Sequence, residues 1–154
     1  MRPRRRPSPL ALLGLLAVAV VAPRLAAAEA PGRIQFNAVL CKSIKNDRPV
    51  EPTTKFTKDA AAIWGMWQSA EIKRGATVRT VWIAEDVGKA APANTQITEA
   101  AVVVDDKALG ARQADGYHGS FNLTRPTAGW PLGKYRVDLF VDGKLLRAIR
   151  FTVQ

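Results

Sequence analysis

The side chains of this chain that can carry covalent or metal chemistry are few, and they are scattered. There is one histidine, His118, and one cysteine, Cys41. A hydrolytic site needs a nucleophile, a base and a group that orients the base. Ser120 lies two residues from His118, on the same face if the segment is a strand. No third member and no Gly-x-Ser-x-Gly elbow accompanies the pair. A zinc site needs three or four His, Cys or carboxylate ligands, and a lone His and a lone Cys 77 positions apart do not supply one. A copper set of Cys41, His118 and Met66 draws on three separate segments. Asp105, Asp106 and Asp115 offer loop oxygens to calcium but read more simply as solvated turns. Glu85 and Asp86 are adjacent carboxylates with no partner histidine, and no glycine-rich loop leads into a helix to cradle phosphate. These observations point to no catalytic residue, no metal and no cofactor.

What remains is aromatic. Four tryptophans, Trp64, Trp67, Trp82 and Trp130, are more than the core of one small domain needs. Trp130, set between Gly129 and Pro131 in a corner, is expected to be the most reachable, unless it folds over the open end of the core as a plug. Trp64 or Trp67 follows. An exposed indole desolvates a large apolar face at small entropic cost, which suits protein hot spots and sugar platforms.

The elements that must position these residues read as strands. Residues 33–40 alternate apolar and polar with period two, turning Ile34, Phe36, Ala38 and Leu40 inward and placing Cys41 outward or at the strand end. The prolines and the Asn-Asp pair of residues 46–52 mark a loop, and residues 53–58 form a short β-tolerant piece around Phe56. Residues 59–69 are ambiguous. Their alanines favour helix, yet the flanking strands favour strand from Ile63 to Ser69, which sends Trp64 and Trp67 to opposite faces. Residues 77–84 are the most β-rich stretch and hold Trp82. A loop over residues 85–95, a strand over 96–104 and an alternating strand over 116–123 follow, the last with Tyr117, Phe121 and Leu123 inward and His118 and Asn122 outward. Residues 133–141 turn Tyr135, Val137, Leu139 and Val141 to one face. Asp142-Gly143 is a two-residue hairpin signal, and the returning strand points Ile149, Phe151 and Val153 inward. Seven strands separated by turn signals predict an all-β, antiparallel two-sheet sandwich.

Residues 1–28 stand apart from that pattern. A basic start (Arg2, Arg4, Arg5, Arg6), an uncharged apolar run over residues 10–22 and small residues at Ala26-Ala27-Ala28 predict a secretory signal peptide cleaved after Ala28. The apolar run is too short to cross a bilayer about 30 Å thick. One domain over residues 29–154 is the expected mature chain. The formal charge of +10 shrinks accordingly: five of the 23 basic residues lie in the leader, leaving 18 against 13 acidic, or +5. The basic residues are spread singly, which argues against nucleic acid as a partner. A single cysteine leaves no internal disulfide, so an exported domain of this kind depends on its apolar core.

The segment Gly133-Lys134-Tyr135-Arg136-Val137 resembles the tyrosine corner of immunoglobulin-like domains, with Val137 standing where an antibody domain has cysteine and Trp82 matching the core tryptophan. Gly129-Trp130-Pro131, the run to Asp142-Gly143, and the series Phe56-Thr57, Ile63, Gly75 and Trp82 are similar to bacterial exported immunoglobulin-like modules. The resemblance implies an immunoglobulin-like sandwich in the periplasm or outside the cell, with Trp82, Tyr135, Val137, Asp142 and Gly143 as scaffold. Such modules serve in adhesion, envelope assembly, sugar binding and inhibition, so it implies binding rather than one activity. Three expectations follow. The first is a non-catalytic module contacting a protein partner in the cell envelope, with no membrane span once the leader is removed. The second is a carbohydrate-binding module using Trp130 with Trp64 or Trp67. The third is an inhibitor of a secreted hydrolase acting through residues 85–95.

Overall fold

The structure, a computed structural model, describes residues 34–105 and 116–154. The chain divides into Met1–Pro31 and Gly32–Gln154, and every described residue falls in the second unit. The expected signal peptide therefore lies outside the described residues, as do Asp106 and Asp115 of the calcium reading.

Among the described residues nine strands form two sheets: β1 (Asn37–Lys45), β2 (Arg48–Pro52), β3 (Lys55–Phe56), β4 (Ala62–Ser69), β5 (Thr77–Asp86), β6 (Thr95–Val103), β7 (Tyr117–Thr124), β8 (Gly133–Val141) and β9 (Lys144–Val153). One sheet has the order β2-β1-β4-β7 and the other β3-β9-β8-β5-β6. Pairing is antiparallel except where the two-residue β3 runs parallel to β9. The second and fifth strands of an immunoglobulin sandwich share one sheet, and the third, sixth and seventh share the other. Here β4 and β7 form the first set and β5, β8 and β9 the second. The fold is all-β and immunoglobulin-like.

The two strands beyond the expected seven are β2 and β3, both at sheet edges. Residues 46–52 are a turn and a strand rather than a loop. Asn46 and Asp47 hold φ of 49° and 54°, the left-handed pair that a tight hairpin turn demands. Pro49 and Pro52 are tolerated because β2 is an edge strand, with no described strand on its outer side to receive an N–H.

Alternation fills the core as the pattern predicts. Phe36, Ala38 and Leu40 are buried, as are Ile63 and Trp67 on β4, Val78 and Trp82 on β5, Tyr135, Val137 and Leu139 on β8, and Phe151 and Val153 on β9. The ambiguous segment is strand, with Ile63, Gly65 and Trp67 inward. Trp82 sits at the centre, its ring 5.8 Å from Phe121 of the facing sheet and 5.9 Å from Phe151. Phe151 in turn stacks on Tyr135 at 5.2 Å.

Cys41 keeps its expected parity but is more fully covered than an outward position implies. Its parity is opposite to Leu40, yet it is 0% exposed, because the register sets it between Trp64 of β4 and Pro52 of β2. Burial pushes the thiol above its ordinary 9.0, against backbone hydrogen bonds from Val50 and Ser43. That combination leaves the thiolate scarce and out of reach.

Candidate functional site: the open mouth of the sandwich

The corner before β8 closes one end of the sandwich. Gly129 takes φ of 84° and its N–H donates to the Pro126 carbonyl at 2.9 Å, turning the chain toward β8. Trp130 is then laid across the core. It is only 5% exposed, its Nε1 donates to the Ala60 carbonyl at 2.7 Å, and it meets Tyr135 edge-on at 6.2 Å. Arg125 reinforces the same junction by donating to the Asp59 carbonyl at 3.2 Å. Trp130 is thus the plug and not a reachable platform. Tyr135 Oη donates to the Pro131 carbonyl, four residues back in the chain, at 2.6 Å. Burial holds its phenol above the ordinary 10.0, so it remains a donor.

Trp67 is 2% exposed and stacks on Phe36 at 5.6 Å. Of the three tryptophans proposed for binding, only Trp64, half-buried on the outer face of β4, stays within reach of a ligand. The structure therefore offers no pair of exposed, coplanar indoles. His118 is half-buried opposite Gln68, and Ser120 opposite Met66. Among the described residues no three His, Cys, Asp or Glu side chains gather as a metal would require.

The sequence placed a long loop from Glu85, but β5 runs on to Asp86. Glu85 is held there by two arginines. Arg136 Nη1 donates to its Oε1 at 2.7 Å and Arg150 Nε at 3.0 Å, while Arg136 Nε reaches Asp138 at 2.9 Å. Partial burial works to raise the Glu85 pKa, but the two guanidiniums outweigh it and hold the carboxyl below its ordinary 4.5. The bond to Glu85 comes first in raising Arg136. These carboxylates are structural anchors. The loop proper starts at Val87, makes a 3-10 turn over Gly88–Ala90 and ends at Asn94, whose N–H donates to the Glu85 carbonyl at 3.1 Å.

Beside the plug lies a cavity of about 260 Å³. Trp130, Tyr135 and Ala84 meet at it, the loop contributes Val87, Ala90 and Ala91, and β7 contributes Leu123. Ile97 and Thr95 of β6 form its outer lip, and none of its lining residues is charged. A bulge in β6 explains why Ile97 faces it. Trp82 pairs with Thr98 and Ile83 with Gln96, so Ile97 is the extra residue. A bulge redirects one side chain out of the alternation, and Ile97 is left 42% exposed. β6 ends the five-stranded sheet, and no described strand pairs with its outer side. The arrangement can receive an apolar group and offers an open row of backbone donors and acceptors next to it. Sequence reasoning named Trp130 and the loop over residues 85–95, which both line the cavity, but missed Ile97, since a bulge is visible only once the register of β5 and β6 is known.

No known protein-family profile matches the chain, and no curated protein matches it. Among solved structures it is similar to an immunoglobulin-like protein from Pseudomonas aeruginosa, at 14% identity, over 82% of this chain and 99% of that one, with a TM-score of 0.47. A Pseudomonas fluorescens alkylpurine DNA glycosylase bound to abasic-site DNA matches at 10% identity over 81% of this chain and 31% of that one, TM-score 0.40. A β-glucosidase from Listeria innocua matches at 11% identity over 78% and 16%, TM-score 0.41. These are likenesses of backbone course and say nothing of activity. Among the described residues no helix is long and apolar enough to cross a membrane.

Proposed function

We propose that this chain is a non-catalytic binding module of an exported protein, and that its partner is a protein that docks an extended segment along β6. The observation that carries the reading is the adjacency of an open edge strand and an uncharged apolar cavity, joined by the bulged Ile97. In strand addition, main-chain hydrogen bonds give affinity and a side-chain pocket gives selectivity. The run Ala100-Ala101 presents small side chains that let a second backbone approach. An incoming strand would set one large apolar side chain past Ile97 onto Ala84, Ala90 and Tyr135. Burying such a side chain is worth about 1.5–3 kcal/mol, enough to select among segments that all make the same backbone bonds.

The experiment is a selection of displayed random peptides on the full chain, repeated with Ala90→Trp, which fills the cavity from an exposed loop position. Enriched peptides should alternate in polarity around one large apolar anchor and should bind the variant at least tenfold more weakly. Peptides that bind both proteins equally would remove the cavity from the account.

A further inference from the structure

The outer face of the four-stranded sheet has no part in strand docking. Register builds it from three cross-strand rows over β1, β4 and β7. They are Asn37, Gln68 and His118; Val39, Met66 and Ser120; and Cys41, Trp64 and Asn122. Alternation sends these side chains outward, since their neighbours Ala38, Leu40, Ile63 and Trp67 fill the core. None of the nine is an acid, a lysine or an arginine. The five-stranded sheet is the opposite case: its outer face carries the Glu85, Arg136, Asp138 and Arg150 network and the Arg79–Glu99 pair.

This charge-free face mixes apolar and hydrogen-bonding groups. Val39 is 41% exposed, Trp64 and Met66 are half-buried, and Asn37, Gln68, Ser120 and Asn122 are exposed. A groove of about 210 Å³ crosses it, lined by Asn37, Val39, Met66 and Gln68 with Pro49. Trp64 is two residues from Met66 on the same strand face, about 7 Å along β4. Asn122 is its partner across the pair of strands, close enough for the two side chains to share one ligand. Trp64 also borders the cavity near Ala61 and Ala62, where Lys42 is held by Glu51 at 2.6 Å.

Size and chemistry select the occupant. The three rows cover roughly 10 by 14 Å between Cα positions, on the order of 150 Å². A standard protein interface takes about 800 Å² from each partner, so this patch is too small for a second copy or a folded protein. A charged ligand finds no counter-charge among the rows. A neutral sugar fits both limits. Its ring offers a C–H face to the indole, and its hydroxyls, which donate and accept, match the amides of Asn122 and Gln68 and the Ser120 hydroxyl. We infer that the outer face of the four-stranded sheet binds a short neutral saccharide, with Trp64 as the stacking surface and Asn122 as its polar partner. One indole suffices here because amides flank it. The site is on the sheet opposite β6, so it stands or falls apart from strand docking.

The test is calorimetric titration of the full chain with cellohexaose, mannohexaose, maltohexaose and chitohexaose. At least one should bind saturably, change the tryptophan emission, and bind equally well at low and high salt, since no charge is there to screen. Trp64→Ala and Asn122→Ala should each weaken that affinity at least tenfold, and Ala90→Trp should leave it unchanged. Trp64 lies over a covered thiol, so melting curves are recorded for both variants; if Trp64→Ala unfolds, the exposed edge-strand variant Asn122→Ala decides. Four results would overturn the assignment: no saturable binding of any of the four sugars, binding that Asn122→Ala retains in full, binding that salt abolishes, or Trp64-dependent self-association in sedimentation without sugar binding. The last would make the face an interface between copies of this chain.

Discussion

Single residues carry most of the testable energetics. Tyr135→Phe removes the bond to the Pro131 carbonyl and should cost about 1 kcal/mol, read as a shift in the denaturant midpoint at unchanged slope. Trp82→Ala empties the centre of the core and should cost ~3–5 kcal/mol; an unmoved melting curve would contradict the core. Glu85 has a lowered pKa, so its stabilising contribution is fully present at neutral pH and is lost as pH falls below the ordinary glutamate value. Glu85→Gln should therefore lower stability at pH 7 and flatten the acid limb of the stability profile; identical pH profiles would refute the network. Cys41 should resist a thiol reagent in the folded protein and react on unfolding. The buried places of Trp82 and Tyr135 were legible in the sequence, because a β-rich run and the alternation of residues 133–141 are local signals. Trp130 as a plug was one of two places its corner allowed, and the Ala60 carbonyl that holds the indole is what decides between them; the full burial of Cys41 was not legible, because it depends on Pro52 and Trp64, both far away in the chain.

At the scale of elements, turns and edges decide what the strands do. Asp142 and Gly143 hold φ of 48° and 81°, and Asp142 also ties the turn to β5: its Oδ1 accepts from the Thr77 N–H at 2.9 Å and its N–H donates to the Thr77 carbonyl at 3.0 Å. Asp142→Gly removes the side-chain acceptor while keeping the left-handed turn accessible and should cost roughly 1–2 kcal/mol, measured by urea unfolding. Gly133 is less forgiving. Its φ is 150° and a Cβ would stand 2.2 Å from the Asp86 carbonyl oxygen, so any side chain there must displace the β5–β8 junction. The hairpin was readable from Asp-Gly alone. β2 was not, since two prolines argue against a strand until the strand is known to be an edge, and β3 is too short to show a period. The same limit hid the bulge at Ile97: alternation in residues 95–103 gives no sign of one extra residue, which exists only relative to β5.

The whole molecule is a sandwich whose interior is spent on its own stability and whose interaction chemistry sits on its margins. Three of four tryptophans are inside, the half-buried Glu85 and the buried Asp138 are held by arginines, and the lone thiol is covered. What faces outward is an open strand, β6, with an uncharged apolar cavity beside it. The most direct test of the central claim is to titrate a peptide selected on the full chain while following backbone amide shifts by NMR. The account predicts shifts confined to Thr95–Val103 and the cavity around Ala84, Ala90 and Leu123, with new protection of outward-facing β6 amides from exchange. Shifts centred on β2, or binding that leaves the β6 amides exchanging as before, would contradict it.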